Sequence, residues 1–217
     1  LAILGISHFK QTVIGDNSIR LKEAILEASN RTEILITTGG LGPTPDDITT
    51  EVIAEAFNTP LEQRSEILFD LISKSKARNI KLSESQRKQS LVPRGSKIIN
   101  NNSGTAPGII WTPKNGFTIL TFPGVPSELK EMWLTEGAKW LIENNFSKQI
   151  ISSKVLHFTG ISESLLAEKI THLLKKNNPT VATYASTGEV KVRITARGDT
   201  IKDTKRFIKP IEKELIQ

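Results

Sequence analysis

One stretch constrains this chain more than any other: Thr37-Thr38-Gly39-Gly40-Leu41-Gly42-Pro43-Thr44-Pro45-Asp46-Asp47-Ile48-Thr49. An apolar run, Ile34–Thr37, leads into it. A helical pattern over Thr49–Phe57, with Val52, Ile53, Ala56 and Phe57 on one face, leaves it. Three glycines let the backbone turn and approach a ligand closely. In an open α/β sheet, ligands bind in the crevice beyond the carboxyl ends of the strands. The helix start offers unpaired N–H groups and a positive dipole end, and Thr38, Thr44 and Thr49 add hydroxyl donors. The segment therefore predicts a phosphate cradle.

It is not a P-loop, because no lysine follows a glycine at the required spacing. Nor is it a clean dinucleotide fingerprint, since Pro45 stands where the third glycine belongs. The plain alternative is a glycine-rich turn with capping acids. Asp46 and Asp47 sharpen the case: adjacent carboxylates beside a phosphate repel unless a cation or proton lies between them. Hard oxygen ligands and phosphate together suit Mg²⁺ or a similar ion. Asp47, nearer the helix start, is the stronger candidate for a catalytic or metal-binding role, and the opposing reading is one capping acid and one solvated acid.

Around this motif, residues 1–148 alternate strand and helix signals, which predicts an α/β domain with a mostly parallel, helix-covered sheet in three layers. Thr12-Val13-Ile14 reads as a short strand. Asn17 caps a helix carrying Leu21, Ala24, Ile25 and Ala28 on one face. Ile34–Thr37 reads as a buried strand and Leu61–Asn79 as one long helix. Ser83-x-x-Gln86 matches a capping box, and Pro93-Arg94-Gly95 stops the helix it opens. Lys97–Ile99, Ile109–Trp111 and Phe117–Phe122 read as strands, the last two joined by the hairpin signal Asn115-Gly116. Ser127 opens a helix with Leu129, Met132, Trp133, Trp140 and Leu141 as its stripe.

The pattern breaks at the polar stretch Asn144–Gln149, which marks a domain boundary. Residues 149–217 then read as strand Lys154–Phe158, helix Ser162–Leu174, strands Val181–Tyr184 and Val190–Ala196, and helix Ile201–Leu215. That is a smaller α+β domain of the split βαβ type. Val190, Val192 and Ile194 alternate with Lys191, Arg193 and Thr195, so this strand has one wet face.

Two further loops run between elements. Asn101-Asn102-Ser103-Gly104-Thr105-Ala106-Pro107-Gly108 is rich in small residues and hydroxyls suited to a phosphate or ribose edge. Phe122-Pro123-Gly124-Val125-Pro126-Ser127-Glu128 again runs from a strand to a helix start, where Ser127 can cap and Glu128 can reach a cation. Each is bland alone; three such loops in one domain are not. His8, His157 and His172 have no partner at metal-ligand spacing, and no serine lies in a nucleophile elbow.

The chain has no cysteine, which excludes disulfides and thiolate metal sites and suits a reducing, cytoplasmic setting. No apolar stretch approaches the roughly 18–20 residues of a membrane span. The net charge of +6 favours anions. The densest stretches, Lys175-Lys176 and Lys202–Lys213, lack interleaved aromatics and read as solvated helix faces, so neither nucleic acid nor membrane is an expected partner. The chain opens on Leu1 in the helix-like Leu1-Ala2-Ile3-Leu4-Gly5, and residues are expected to be missing before it.

The segment 39–47 resembles the hallmark of the CinA (competence/damage-inducible) family. Thr12–Asn17, Arg87–Pro93, Gly104–Gly108 and Pro123–Glu128 also resemble it, as do Gly160–Ser164 and Asn178–Ala182 in the second domain. The resemblance implies a first domain like the molybdopterin-binding domain of molybdenum-cofactor proteins. It implies hydrolysis of the pyrophosphate of ADP-ribose with a divalent metal (Mg, Mn or Co). Asp47 and Asp46 are then the expected catalytic residues, with Glu128 joining them on the metal. Gly39, Gly40, Gly42, Pro43, Thr44, Thr49, Asp16, Ser103, Gly104, Thr105, Pro123, Gly124 and Ser127 are expected on the substrate. The alternative is a module that binds molybdopterin or a nucleotide without turning it over. The small domain is expected to pair subunits, as a homodimer. The family pattern also places a strand with a Gly-Thr-Glu segment before Leu1 and, in many relatives, a nicotinamide-nucleotide deamidase domain after residue 217.

Overall fold

A computed structural model describes Leu1, residues 4–146 and residues 149–216. The chain divides into two compact units, Thr12–Trp140 and Leu1–Gln11 with the residues from Leu141 onward. Ala2 and Ile3 of the helix-like opening, and Ser147 and Lys148 of the polar stretch, lie outside the described residues.

The larger unit is organised by β6 (Phe117–Phe122), every residue of which is buried. It has a strand on each side and helices on both faces. Its neighbours are β1 (Ile34–Thr38) and β5 (Gly108–Lys114), and β4 (Lys97–Ile99) completes the order β1-β6-β5-β4. Phe117 and Ile119 point into a core with Ile25 of α1 (Ser18–Arg31), Val52 and Ile53 of α2 (Thr49–Ala56), and Ile67 and Leu71 of α3 (Ser65–Ala77). On the opposite face Phe122 meets Trp133 edge-on at 6.0 Å. Trp133 follows α5 (Pro126–Met132) in a π turn, Trp133–Gly137, that leads into α6 (Ala138–Glu143). The three layers expected from sequence are therefore present.

The sheet is mixed, not mostly parallel. β1 runs parallel to β6, whereas β5–β6 and β4–β5 are antiparallel. Connection length explains this. Asn115-Gly116 is a two-residue hairpin turn with Gly116 at φ +76, and residues 100–107 are too few for a parallel crossover, which needs a dozen or more. β1 is an edge strand, so it is half-buried where a buried strand was expected.

Other expectations are corrected. Residues 12–14 form no strand; no ladder reaches them, and Val13 is 90 % exposed. Leu61–Gln63 is a strand, β2, which pairs antiparallel with β3 (Leu91–Pro93), so α3 begins only at Ser65. Pro93 lies in that two-stranded ribbon and stops no helix; α4 (Glu84–Lys88) has already ended. Ser127 does not cap α5. Pro126 occupies the first turn, and the cap position, Val125, makes no side-chain bond. The caps at α1 and α4 form as read: Asn17 accepts from the Arg20 N–H at 3.0 Å, and Ser83 and Gln86 make both capping-box bonds.

The smaller unit contains β7 (Ile150–Phe158), α7 (Glu163–Lys169), α8 (Thr171–Leu174), β8 (Thr180–Ser186), β9 (Glu189–Gly198) and α9 (Ile201–Ile216). Its sheet, β7-β9-β8, is antiparallel throughout. Val190, Val192 and Ile194 pack with Leu166, Leu173 and Ile208, while Arg193 is exposed, as the alternation requires. The helix expected over 162–174 breaks at Ile170, where φ is −107 and ψ is 18. Among the described residues no helix is long and apolar enough to cross a membrane.

Ile119 is fully buried at the centre of the larger core. Ile119→Ala is expected to lower stability by about 2–5 kcal/mol in denaturant titration, the cost of the lost burial plus a cavity that the packed neighbours on that face close only in part.

Candidate phosphate-binding site

The glycine turn leaves β1 where that strand pairs with the end of β6, Thr38 opposite Phe122. The Gly39 N–H donates to the Phe122 carbonyl at 2.9 Å. Gly39 and Gly40 both take positive φ, +91 and +68. Thr49 closes the turn: its hydroxyl donates to the Gly39 carbonyl and its N–H to the Gly40 carbonyl, each at 3.0 Å. A Cβ on Gly40 would stand 2.1 Å from Thr49 Oγ1, so glycine is required there by both space and conformation.

Five carbonyls of this segment, those of Gly39, Gly40, Leu41, Thr44 and Asp47, are bonded to protein donors. Leu41 O accepts from Gln89 Nε2 at 3.1 Å, Thr44 O from the Asp47 N–H at 3.0 Å, and Asp47 O from Lys88 Nζ at 2.8 Å. The N–H groups of Gly40 and Leu41, by contrast, donate to no protein acceptor among the described residues. Consecutive unpaired amides in a turn form an anion-binding concavity. At Gly40 and Leu41 the carbonyls are engaged and the amides left open.

The acids gather at Thr44. Asp47 Oδ2 accepts from the Thr44 N–H at 2.9 Å and from the Thr44 hydroxyl at 2.6 Å, and Asp46 Oδ1 lies within reach of the same hydroxyl. One hydroxyl hydrogen serves two carboxylates. Partial burial pushes the Asp47 carboxyl up. Bonds from the Thr44 hydroxyl, the Thr44 amide and the Gly42 amide, with the Lys88 charge, outweigh that and hold it below its ordinary value. The carboxylate lies over Gly42, where a Cβ would meet Asp47 Oδ2 at 2.4 Å.

The other two loops meet each other and the turn. Gly124 packs on Gly39; a Cβ there would be 3.4 Å from Gly39 Cα. Glu128, on the first turn of α5, accepts from Asn101 Nδ2 at 2.7 Å and lies against Gly104, where a Cβ would be 2.2 Å from Glu128 Oε2. Buried Asn101 also accepts from the Gly104 N–H at 2.7 Å and donates to Ala106 O at 2.8 Å.

Gly39, Gly40, Gly42, Thr44, Asp46, Asp47 and Thr49 thus share one turn. Gly104 and Glu128 are tied together, and Gly124 adjoins the turn; Pro43 is half-buried within it and Pro123 buried beside Gly124. Ser103 hydrogen-bonds Glu131 instead. Thr105 lines a small cavity with Glu66, Asp70 and Asn101. Asp16 and Ser127 make no bond to the turn among the described residues. The three carboxylates expected to share a metal do not meet as a group. Among the described residues no set of three or more His, Cys, Asp or Glu is placed to hold an ion. Asp46 and Asp47 are drawn to Thr44, and Glu128 to Asn101. Lys88, Gln89 and Asn101 carry much of this geometry. Only the Arg87–Pro93 and 101–108 motifs pointed towards them, because contacts spanning 41 and 48 residues leave no local pattern.

A mixed three-layer α/β unit with a glycine turn of this polarity, followed by a small βααββα unit, defines a class. Residues 1–142 match the family described as "Probable molybdopterin binding domain", and residues 153–217 the family "Damage-inducible protein CinA KH domain". The chain belongs to the CinA-like protein family. It is 75 % identical over 217 residues to a CinA-like protein of Prochlorococcus marinus strain NATL1A, covering 100 % of this chain and 50 % of that protein. It is 55 % identical over 215 residues to one from strain MIT 9313, covering 99 % and 50 %. The chain thus spans about half the length of these curated relatives. A crystal structure of the protein CinA from Thermoplasma acidophilum is similar to it, with a TM-score of 0.51 and 27 % identity over 59 % of this chain and 72 % of that one.

Replacing Thr44 by Val removes one of the donors that lower the Asp47 pKa, so that pKa is expected to rise toward the ordinary carboxylate value. Because the native pKa is depressed, the turn's ionised form persists to lower pH in the native protein than in Thr44→Val. Carbon-detected NMR titration of the Asp47 carboxyl reads the difference.

Proposed function

We propose that the protein carrying this chain hydrolyses the pyrophosphate bond of ADP-ribose or a related nucleotide with a divalent cation. One observation carries the reading: open amides at Gly40 and Leu41 stand in the same turn as two carboxylates that share a single hydroxyl hydrogen. The amides call for an anion, and the carboxylate pair, one proton short, calls for a cation. A substrate diphosphate with Mg²⁺, Mn²⁺ or Co²⁺ meets both demands. The donor set fits such an ion, because Mg²⁺ is held by one or two carboxylates together with substrate phosphate oxygens.

In this reading Asp47 and Asp46 hold the cation. When bound, it supplies polarisation of a phosphoryl oxygen and a lowered pKa for water. The Gly40 and Leu41 amides bind phosphate and stabilise charge that develops on it. The Thr44 hydroxyl keeps the Asp47 carboxylate oriented over Gly42. Asn101 fixes Glu128 against Gly104. The CinA resemblance supports ADP-ribose as the nucleotide, the lack of cysteine a cytoplasmic setting, and the half-wet strands of the small unit a homodimer formed through it. Sedimentation showing only monomer removes the last.

The second reading, a molybdopterin- or nucleotide-binding module without turnover, is favoured by the separation of Glu128 from the aspartate pair. The experiment that decides is a product assay on the intact protein with ADP-ribose and each of the three cations. AMP and ribose 5-phosphate are expected. Asp47→Ala is expected to lower turnover about a hundredfold, the scale of misplacing a reacting group. Unchanged turnover in that variant excludes Asp47 from the chemistry, and binding without products selects the module.

A further inference from the structure

Gln89 follows α4 and is 6 % exposed. Its Nε2 donates to the Leu41 carbonyl at 3.1 Å, across 48 residues of sequence. Its Oε1 is buried and has no partner among the described residues. A half-paired amide is a poor packing element, because an unpaired buried acceptor costs desolvation that nothing returns. An apolar side chain of similar size fills the space without that penalty. What the amide supplies, and an apolar chain does not, is the N–H on Leu41 O.

That N–H has two consequences. It keeps the Leu41 carbonyl turned toward α4, away from the concavity where the Gly40 and Leu41 amides stand open. In a trans peptide the carbonyl of one residue and the N–H of the next point in opposite directions. Turning Leu41 O toward Gln89 therefore turns the Gly42 N–H away from it; the Asp47 carboxylate lies over Gly42, whose amide helps to lower its pKa. One side chain sets the orientation of one peptide plane, and that plane serves both the anion and the acid.

We infer that Gln89 is a positioning residue of the phosphate site: through the Leu41–Gly42 peptide it keeps the turn's carbonyl off the bound diphosphate and holds the Gly42 amide on Asp47. The inference rests on the site reading above, in that it takes a diphosphate as the bound group. It does not require turnover. Lys88, the preceding residue, acts on the far end of the turn through Asp47 O, but its ion pair with Glu51 at 2.8 Å gives it a structural task as well. Gln89 has no such second task.

The test compares the intact protein with Gln89→Met in the presence of Mg²⁺, by thermal midpoint, by calorimetry with inorganic pyrophosphate, and by ADP-ribose turnover. The midpoint is expected to stay level, since the variant removes one unpaired acceptor, Gln89 Oε1, and leaves another, Leu41 O, without its side-chain donor. The pyrophosphate dissociation constant is expected to rise about tenfold. KM for ADP-ribose follows it, with kcat within about twofold, the pattern of lost uniform binding. Unchanged pyrophosphate affinity overturns the inference. So does a lowered midpoint accompanied by weaker binding, which assigns Gln89 to the fold alone. If the native protein does not turn over ADP-ribose but the variant still loses pyrophosphate affinity, the proposed reaction fails and the positioning role stands. A native protein that binds neither compound overturns both.

Discussion

Thr49 makes the two hydrogen bonds on which the rest of the site depends. It is the first residue of α2 and buried, and it reaches back over ten residues to the carbonyls of Gly39 and Gly40. Those bonds close the turn and draw two carbonyls toward the helix. They require a glycine at position 40, because the Thr49 side chain occupies the space a Cβ would need. Gln89, Lys88 and the Asp47 amide then take up carbonyls at Leu41, Asp47 and Thr44. A turn that faced an anion with its carbonyls would repel it. Here the bonding pattern turns five of those carbonyls onto protein donors, the preorganisation that the proposed anion site requires.

How much of this could be read from sequence depended on how local the cause was. The caps of α1 and α4, the Asn115-Gly116 hairpin and the alternating strand β9 are set by residues within a few positions of each other, and they form as read. Alternating strand and helix signals do not carry the direction of the sheet strands; connection length does, since eight residues between β4 and β5 admit only an antiparallel return. Leu61–Gln63 carried a helical pattern that its pairing with β3 overrides, because Leu61 and Pro93 meet across 32 residues. In the candidate site, the glycines, Thr44, Asp46, Asp47 and Thr49 were legible as one contiguous motif. Gln89 and Asn101 were not singled out: each acts through a hydrogen bond to a distant main-chain or carboxylate group, and such bonds have no spacing signature.

The smaller unit handles its charges differently. Glu189 accepts from His157 Nδ1 at 2.7 Å and pairs with Lys191 at 3.0 Å. These two partners hold its carboxyl below the ordinary range. Lys154 pairs with Glu212 of α9, and Arg193 lies over the Tyr184 ring at 4.9 Å from its centroid. These exposed pairs add little stability. Lys191 and Arg193 find these partners on the open face of the sheet, whereas Lys154, opposite Ile194, pairs on the face that α9 covers.

The parallel pairing of β1 with β6 places Thr38 opposite Phe122, so the chain leaves both strands at one level, with Gly39 against Gly124. A hinge between those exits would need the two backbones to part, yet they meet without an intervening side chain. The mouth of the turn is thus tied to the sheet by contact of backbone on backbone. Under the proposed reading, ligands of unequal girth are met by side chains at the rim of an aperture that the sheet sets.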